Sequence, residues 1–200
     1  PVNGNVTITI NPAATVDAGL PQTICADGTV TLNGAIGGSA TSATWSGGTG
    51  SFAPNATTLN AVYTPSAAEI TAGTVTLTLT TDDPAGACLP AVDNVTITIN
   101  PVATVDAGLP QTICSDGTVT LTGAIGGSAA SATWSGGTGS FAPNATTLNA
   151  VYTPSAGEVT AGTVTLILTT NDPAGDCLQA VDNVTITINP LVTVDAGLPQ

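Results

Sequence analysis

The chain has 200 residues and a formal net charge of −13, because its 13 carboxylates face no lysine, arginine or histidine. Nothing can neutralise phosphates, which excludes nucleic acid as a partner and disfavours anionic membrane surfaces; no apolar run reaches the ~18 residues of a membrane-spanning helix. General acid–base chemistry near neutrality loses its usual histidine and lysine, so no enzyme is expected.

In chain order, "GNVTITINP" at Gly4–Pro12 comes first, and its echo "DNVTITINP" returns at Asp93–Pro101 and Asp182–Pro190. "TVDAGLPQ" occurs three times, at Thr15, Thr104 and Thr193, each 89 residues after the last. Sliding Ala13–Pro101 onto Val102–Pro190 leaves ten mismatches and no gap, most of them mild, such as Ala26 to Ser115 and Thr78 to Ile167. The expected organisation is therefore the last strand of one repeat (1–12), two whole repeats (13–101 and 102–190) and the first strand of a further one (191–200), a window from a longer tandem array. A unit of this length can bury its own core, unlike 20–50-residue solenoid repeats, which need neighbours.

Within the first repeat the predicted elements are short and alternate with period two. "ATVDA" (14–18) opens the unit, followed by "TVTLNGAI" (29–36), "SATWSG" (42–47) and "LNAVYT" (59–64). "TVTLTLTT" (74–81) turns Val75, Leu77 and Leu79 inward and its threonines outward, and "NVTITIN" (94–100) does the same with Val95, Ile97 and Ile99. Branched threonine suits the wet side of a pleated strand. Asp27-Gly28, Gly37-Gly38, Gly47-Gly48 and Asp83-Pro84-Ala85-Gly86 mark the turns between them. Seven or so short strands in 89 residues predict all-β, tandem immunoglobulin-like antiparallel β-sandwiches joined head to tail.

One stretch breaks the alternation. In "PSAAEITAG" (65–73), Ser66 and Glu69 have the spacing of a capping box, as do Ser155 and Glu158 in the second repeat. This predicts one helical turn crossing between the sheets and gives the chain's only two glutamates a structural role. Trp45, Trp134, Tyr63 and Tyr152 are expected in the core, one tryptophan plugging each sandwich.

Candidate chemistry is sparse. A Ca²⁺ ion, which takes hard oxygen ligands, has weak candidates in Asp82, Asp83 and Asp93, and in Asp172, Asp176 and Asp182. The register replaces Asp82 by Asn171, however, and no loop has the spacing of a dedicated calcium site, so solvated turn acids are the favoured reading and no cofactor is expected. "SGGTGS" (46–51) lacks the lysine and following helix of a phosphate loop and reads as a turn. Asn55, Asn94, Asn144 and Asn183 match the N-glycosylation triplet, a frequent chance match in a threonine-rich chain.

The cysteines stand at two registers, Cys25/Cys114 and Cys88/Cys177, without CxxC spacing or a histidine co-ligand. Oxidised cysteines of an extracellular protein fit better than zinc. Pairing within each repeat, Cys25–Cys88 and Cys114–Cys177, is the simplest arrangement. If the two turns lie at opposite ends of the sandwich, about 25 Å apart, a staple between repeats, Cys25–Cys177, is the alternative. Free thiols are the third.

The phrases "VDAGLPQTIC", "SATWSGGTGSF", "YTPSAAEITAGTVTLTLTTDDPAG" and "VDNVTITINP" together resemble the tandem repeats of very large Bacteroidota surface proteins, the SprB-type gliding-motility adhesins and related proteins exported by type IX secretion. The resemblance spans both repeats. It implies an immunoglobulin-like scaffold on the bacterial cell surface, an adhesin stalk or filament, and it assigns no catalytic or binding residue. The partners expected are neighbouring identical repeats and other copies in a filament, with no nucleic acid and no direct membrane insertion. Between the repeats, Pro101, Val102 and Ala103 replace any Gly/Ser linker, which predicts stiff coupling.

Overall fold

The structure is a computed structural model and describes residues 4–8, 10–82, 89–171 and 177–192. The chain divides into two units, Pro1–Pro101 and Val102–Gln200. In the first, the strands are β1 (Thr15–Asp17), β2 (Gln22–Cys25), β3 (Val30–Thr31), β4 (Ala35–Gly37), β5 (Ala43–Ser46), β6 (Ser51–Ala53), β7 (Val62–Thr64), β8 (Thr74–Thr81) and β9 (Val92–Asn100), with helix α1 (Ala67–Ala72) between β7 and β8. The second repeats the pattern as β10 to β18, with α2 (Ala156–Ala161).

Two sheets make each sandwich. One has the order β2-β9-β8-β5, the other β3-β7-β6, and β1 pairs with β4 in a separate ribbon. The long pair β8–β9 anchors the first sheet, with Val75 opposite Ile97 and Leu77 opposite Val95. Their inward faces are closed to solvent: Leu77, Leu79 and Ile97 are fully buried, with Val95 and Ile99 nearly so. Each such side chain contributes roughly 1.5–3 kcal/mol on leaving water, which lets an 89-residue unit hold together without an ion pair.

Trp45 on β5 fills the space between the sheets, buried, and its indole N–H donates to the Leu59 carbonyl at 3.1 Å. Tyr63 on β7 is also buried, with Phe52 tilted against it at 4.8 Å between ring centroids. Trp134 and Tyr152 occupy the same places in the second repeat.

The helix forms where the capping residues stand. The Ser66 side chain accepts from the Glu69 N–H, the Glu69 carboxylate accepts from the Ser66 N–H, and Gly73, at φ 75°, closes the turn in a left-handed conformation. α2 has the same box at Ser155 and Glu158.

Three features differ from the alternation read in the sequence. The stretch "TVTLNGAI" splits into β3 and β4, because Gly34 passes against the core: a Cβ there would lie 2.9 Å from both the Leu59 carbonyl and the Trp45 ring, and 2.8 Å from Leu79. Backbone bonds from Leu32 to Ala61 and from Gly34 to Leu59 carry the chain between its two partners. "QTIC" is a strand in its own right, β2. It lies parallel to β9, with Ile24 opposite Ile99 and Cys25 opposite Asn100, so the first sheet is mixed rather than wholly antiparallel.

Gly34→Ala is expected to destabilise the first repeat by about 1–3 kcal/mol through overpacking. Urea denaturation followed by Trp45 fluorescence in a Trp134→Phe background reads that repeat alone; an unchanged midpoint would contradict the packing described.

Candidate functional site

Because no basic residue exists, each described carboxylate with a close partner has found backbone N–H or hydroxyl donors. The most enclosed case is Glu69, buried at the foot of α1. Its carboxylate accepts from Thr49 N–H at 2.7 Å, from Ser66 N–H at 2.8 Å and from the Tyr63 hydroxyl at 2.8 and 2.9 Å. The Tyr63 oxygen in turn accepts from Gly50 N–H at 2.9 Å. The glycine-rich "SGGTGS" loop is therefore a lid of N–H donors over a tyrosine–glutamate pair, and its glycines let the backbone come close. Added Cβ atoms at Gly48 and Gly50 would run into the Tyr63 hydroxyl and the Thr64 carbonyl respectively.

The second repeat reproduces this knot. Glu158 accepts from Thr138 N–H at 2.6 Å, Ser155 N–H at 2.7 Å and the Tyr152 hydroxyl at 2.8 and 2.9 Å. Burial pushes the Glu158 carboxyl up, but the bonds from Thr138, Ser155 and Tyr152 outweigh it and bring it down to about 2. Glu69 is lowered by the same balance. Burial first, and then the neighbouring glutamate, push Tyr63 and Tyr152 up to about 12. A neutral phenol donating to a permanent carboxylate is a fixed link, with neither group poised to exchange protons near neutrality.

Of the weak calcium candidates, Asp82 and Asp93 are committed elsewhere. Asp82 accepts from Thr41 N–H at 2.9 Å, Ser42 N–H at 3.0 Å and the Thr41 hydroxyl at 2.6 Å, pinning the loop before β5. In the second repeat Thr41 becomes Ala130 and Asp82 becomes Asn171, yet the Asn171 amide oxygen still accepts from Ala130 and Ser131 N–H at 2.9 and 2.8 Å. The hydroxyl donor and the charge disappear together while the backbone link persists. Asp93 and Asp182 each accept a backbone N–H, from Ala18 and Ala107, at 2.8 Å. They are half-buried edge ties rather than the solvated turn acids expected from sequence. Asp83, Asp172 and Asp176 lie outside the described residues, and among the described residues no group of three or more His, Cys, Asp or Glu could hold a metal ion.

The outer face of the first sheet is uncharged. Thr23, Thr98 and Thr74 form one row across β2, β9 and β8, Thr96 and Thr76 the next, and Asn94, Thr78 and Ser46 another. Thr78 donates to Asn94 at 2.7 Å; Ile167 takes its place in the second repeat.

The cysteines do not share one state. Cys25 and Cys177 are disulfide-bonded, Cys114 is an exposed free thiol, and Cys88 lies outside the described residues. In the second repeat Cys177 is thus bonded while its sequence partner Cys114 is not, which overturns the simplest pairing there. The register explains it: Cys114 ends β11 (Gln111–Cys114) opposite Asn189, the last residue of β18 (Val181–Asn189), whereas Cys177 precedes the first.

No protein-family model and no curated protein sequence matches the chain. Solved structures do. A three-immunoglobulin-domain fragment of titin aligns with a TM-score of 0.57 at 12% identity over 91% of this chain and 67% of its own. Sidekick-1 immunoglobulin domains 1–4 align at 0.55 and 9% identity, over 92% and 51%, and the insect immune protein hemolin at 0.53 and 11%, over 93% and 49%. At such identities the likeness concerns the fold: the chain is built of tandem immunoglobulin-like β-sandwiches.

The glutamate–tyrosine knot sets a pH window. The Glu158 pKa is lower folded than unfolded, where glutamate titrates near ~4.3. Its contribution to stability is present above that value and lost as pH falls through about 2. Tyr152 is raised when folded, so its contribution is present below 10.0 and lost as pH rises through about 12. Glu158→Gln turns an amide N–H₂ towards donors and is expected to cost about 1–3 kcal/mol at neutral pH, with a shallower acid limb. Denaturation midpoints from pH 2 to 7 (a range chosen around the ~4.3 of free glutamate) check this; parallel acid limbs for variant and parent would refute it. Loss of self-repulsion on acidification is common to both chains and cancels in the comparison.

Proposed function

We propose that this chain is a non-catalytic, load-bearing stretch of an extracellular stalk or filament on a bacterial cell surface, whose work is to hold a distal part of the molecule away from the cell. The observation that carries the reading is that, among the described residues, the enclosed acids and the large aromatic rings are spent inside each repeat. Glu69, Glu158, Asp82, Asp93 and Asp182 hold backbone N–H groups; the tryptophans are plugs rather than sugar platforms. What remains is a near-identical, self-sufficient unit used twice. The disulfide supports an oxidising, extracellular setting, and the strong negative charge keeps such units soluble and apart. The resemblance to Bacteroidota gliding adhesins agrees with this role.

A second reading, lateral assembly into a fibre, is favoured by the threonine face. Its outward residues on β2, β5, β8 and β9 carry no charge, so it is where two acidic copies could meet without repulsion.

Arrays of two, four and six repeats, compared by small-angle X-ray scattering, separate the readings. A stalk should lengthen by an equal step per repeat, roughly 40 Å from strands of nine residues plus loops, with no concentration dependence. A compact particle would refute the stalk, and a cross-section that grows with concentration would favour the fibre.

A further inference from the structure

The structure separates the N-glycosylation triplets at Asn55, Asn94, Asn144 and Asn183 into two kinds. Asn94 stands on β9, opposite Thr78 in the β8–β9 ladder, and its amide oxygen accepts from the Thr78 hydroxyl at 2.7 Å. The hydroxyl of its own triplet, on Thr96, lies two residues along an extended strand, about 6.6 Å away between backbone positions. Asn183 has the same place on β18, opposite Ile167 of β17 (Thr163–Thr170).

Asn55 is different. It is exposed, in the loop between β6 and β7, and so is Thr57. Three donors converge on its Oδ1: Thr57 N–H at 3.0 Å, the Thr57 hydroxyl at 2.7 Å and the Thr58 hydroxyl at 3.2 Å. The turn is anchored, because the Ala56 carbonyl accepts from Trp45 N–H on β5 at 2.8 Å. Asn144 repeats the arrangement with Thr146 N–H at 3.0 Å and the hydroxyls of Thr146 and Thr147 at 2.7 and 3.2 Å. An amide nitrogen is a weak nucleophile because its lone pair is delocalised towards the carbonyl. When it gives up a proton, negative charge gathers on the oxygen, and donors already aimed there stabilise that imidate as they would an oxyanion. An amide oxygen has two lone pairs; three donors on it, in an exposed loop, are suited to that developing charge.

We propose that Asn55 and Asn144 are attachment sites for an N-linked sugar, delivered by a glycosyltransferase from a hexose whose anomeric carbon carries a diphosphate leaving group. The Nδ2–C1 bond forms as the C1–O bond to the diphosphate breaks. The diphosphate leaves with that electron pair, and the Nδ2 proton passes to a base of the transferase. Each repeat then carries one neutral, hydrated group on its β6–β7 or β15–β16 loop, β15 being Ser140–Ala142 and β16 Val151–Thr153. The inference rests on the geometry of one loop and stands whether or not the chain belongs to a surface stalk.

The test uses the folded 200-residue chain, a soluble asparagine glucosyltransferase and UDP-glucose. Glutamyl endopeptidase then gives fragments 1–69, 70–158 and 159–200, and chymotrypsin cuts each after its aromatic residues, so that Asn55 and Asn144 are read by mass spectrometry on peptides beginning at Ala53 and Ala142. The expected result is a hexose on both peptides and none on those holding Asn94 or Asn183. Unmodified Asn55 and Asn144 in the folded chain, or equal transfer to Asn94 and Asn183, overturns the proposal. Thr58→Ala leaves the triplet intact and removes one donor from Oδ1; transfer to Asn55 is expected to slow about tenfold, and Thr58→Ser to restore it. An unchanged rate in Thr58→Ala, or no recovery in Thr58→Ser, also overturns it.

Discussion

A carboxylate in this chain has no cation to turn to, and much of the architecture follows from that. Glu69 is the strictest case: a charge enclosed beside the core is tolerable only if its oxygens are filled by good donors. Three elements supply them. The loop between β5 and β6 gives Thr49 N–H, the start of α1 gives Ser66 N–H, and β7 gives the Tyr63 hydroxyl. The carboxylate therefore ties one sheet's strand, the crossing helix and a glycine-rich turn into one piece, and Glu158 repeats the arrangement. Bonds to an ionised acceptor are among the stronger ones available to a protein.

The same logic acts at the edges in weaker form. Asp93 on β9 reaches Ala18 after β1, and Asp82 after β8 holds the loop before β5. Each acid joins the long β8–β9 pair to a short, otherwise marginal segment, since β1 has three residues and β5 four. The covarying change in the second repeat, Thr41 to Ala130 with Asp82 to Asn171, shows which part of the interaction is constant: an oxygen acceptor facing two backbone N–H groups, charged or not. With Asp93 tied to Ala18, the outer face of the first repeat's sheet is left mainly to threonine, asparagine and serine.

Among the described residues, Glu69, Glu158, Asp82, Asp93 and Asp182 all hold backbone N–H groups. With no Lys, Arg or His in the chain, stability does not depend on side-chain ion pairs that salt would screen.

The sequence alone determined what is local and periodic. The 89-residue register is explicit, the strands β8 and β9 announce themselves through alternating Thr and Val, Ile or Leu, and Ser66–Glu69 marks the helix because a capping box is contained in four residues. Burial of Trp45 and Tyr63 was likewise legible from their scarcity and strand positions. What the tertiary structure decided depends on partners far apart in the chain. Nothing near Glu69 signals Thr49 or Tyr63, nothing near Asp93 signals Ala18, 75 residues away, and "QTIC" is too short to declare itself a strand until β9 lies beside it in parallel. The states of the cysteines belong to the same class: their spacing allows several pairings, and only the placement of Cys114 and Cys177 towards opposite ends of β18 rules one out. Alternation and caps are written in neighbouring residues, whereas hydrogen-bond partners and covalent closure are set by where the folded backbone brings distant ones.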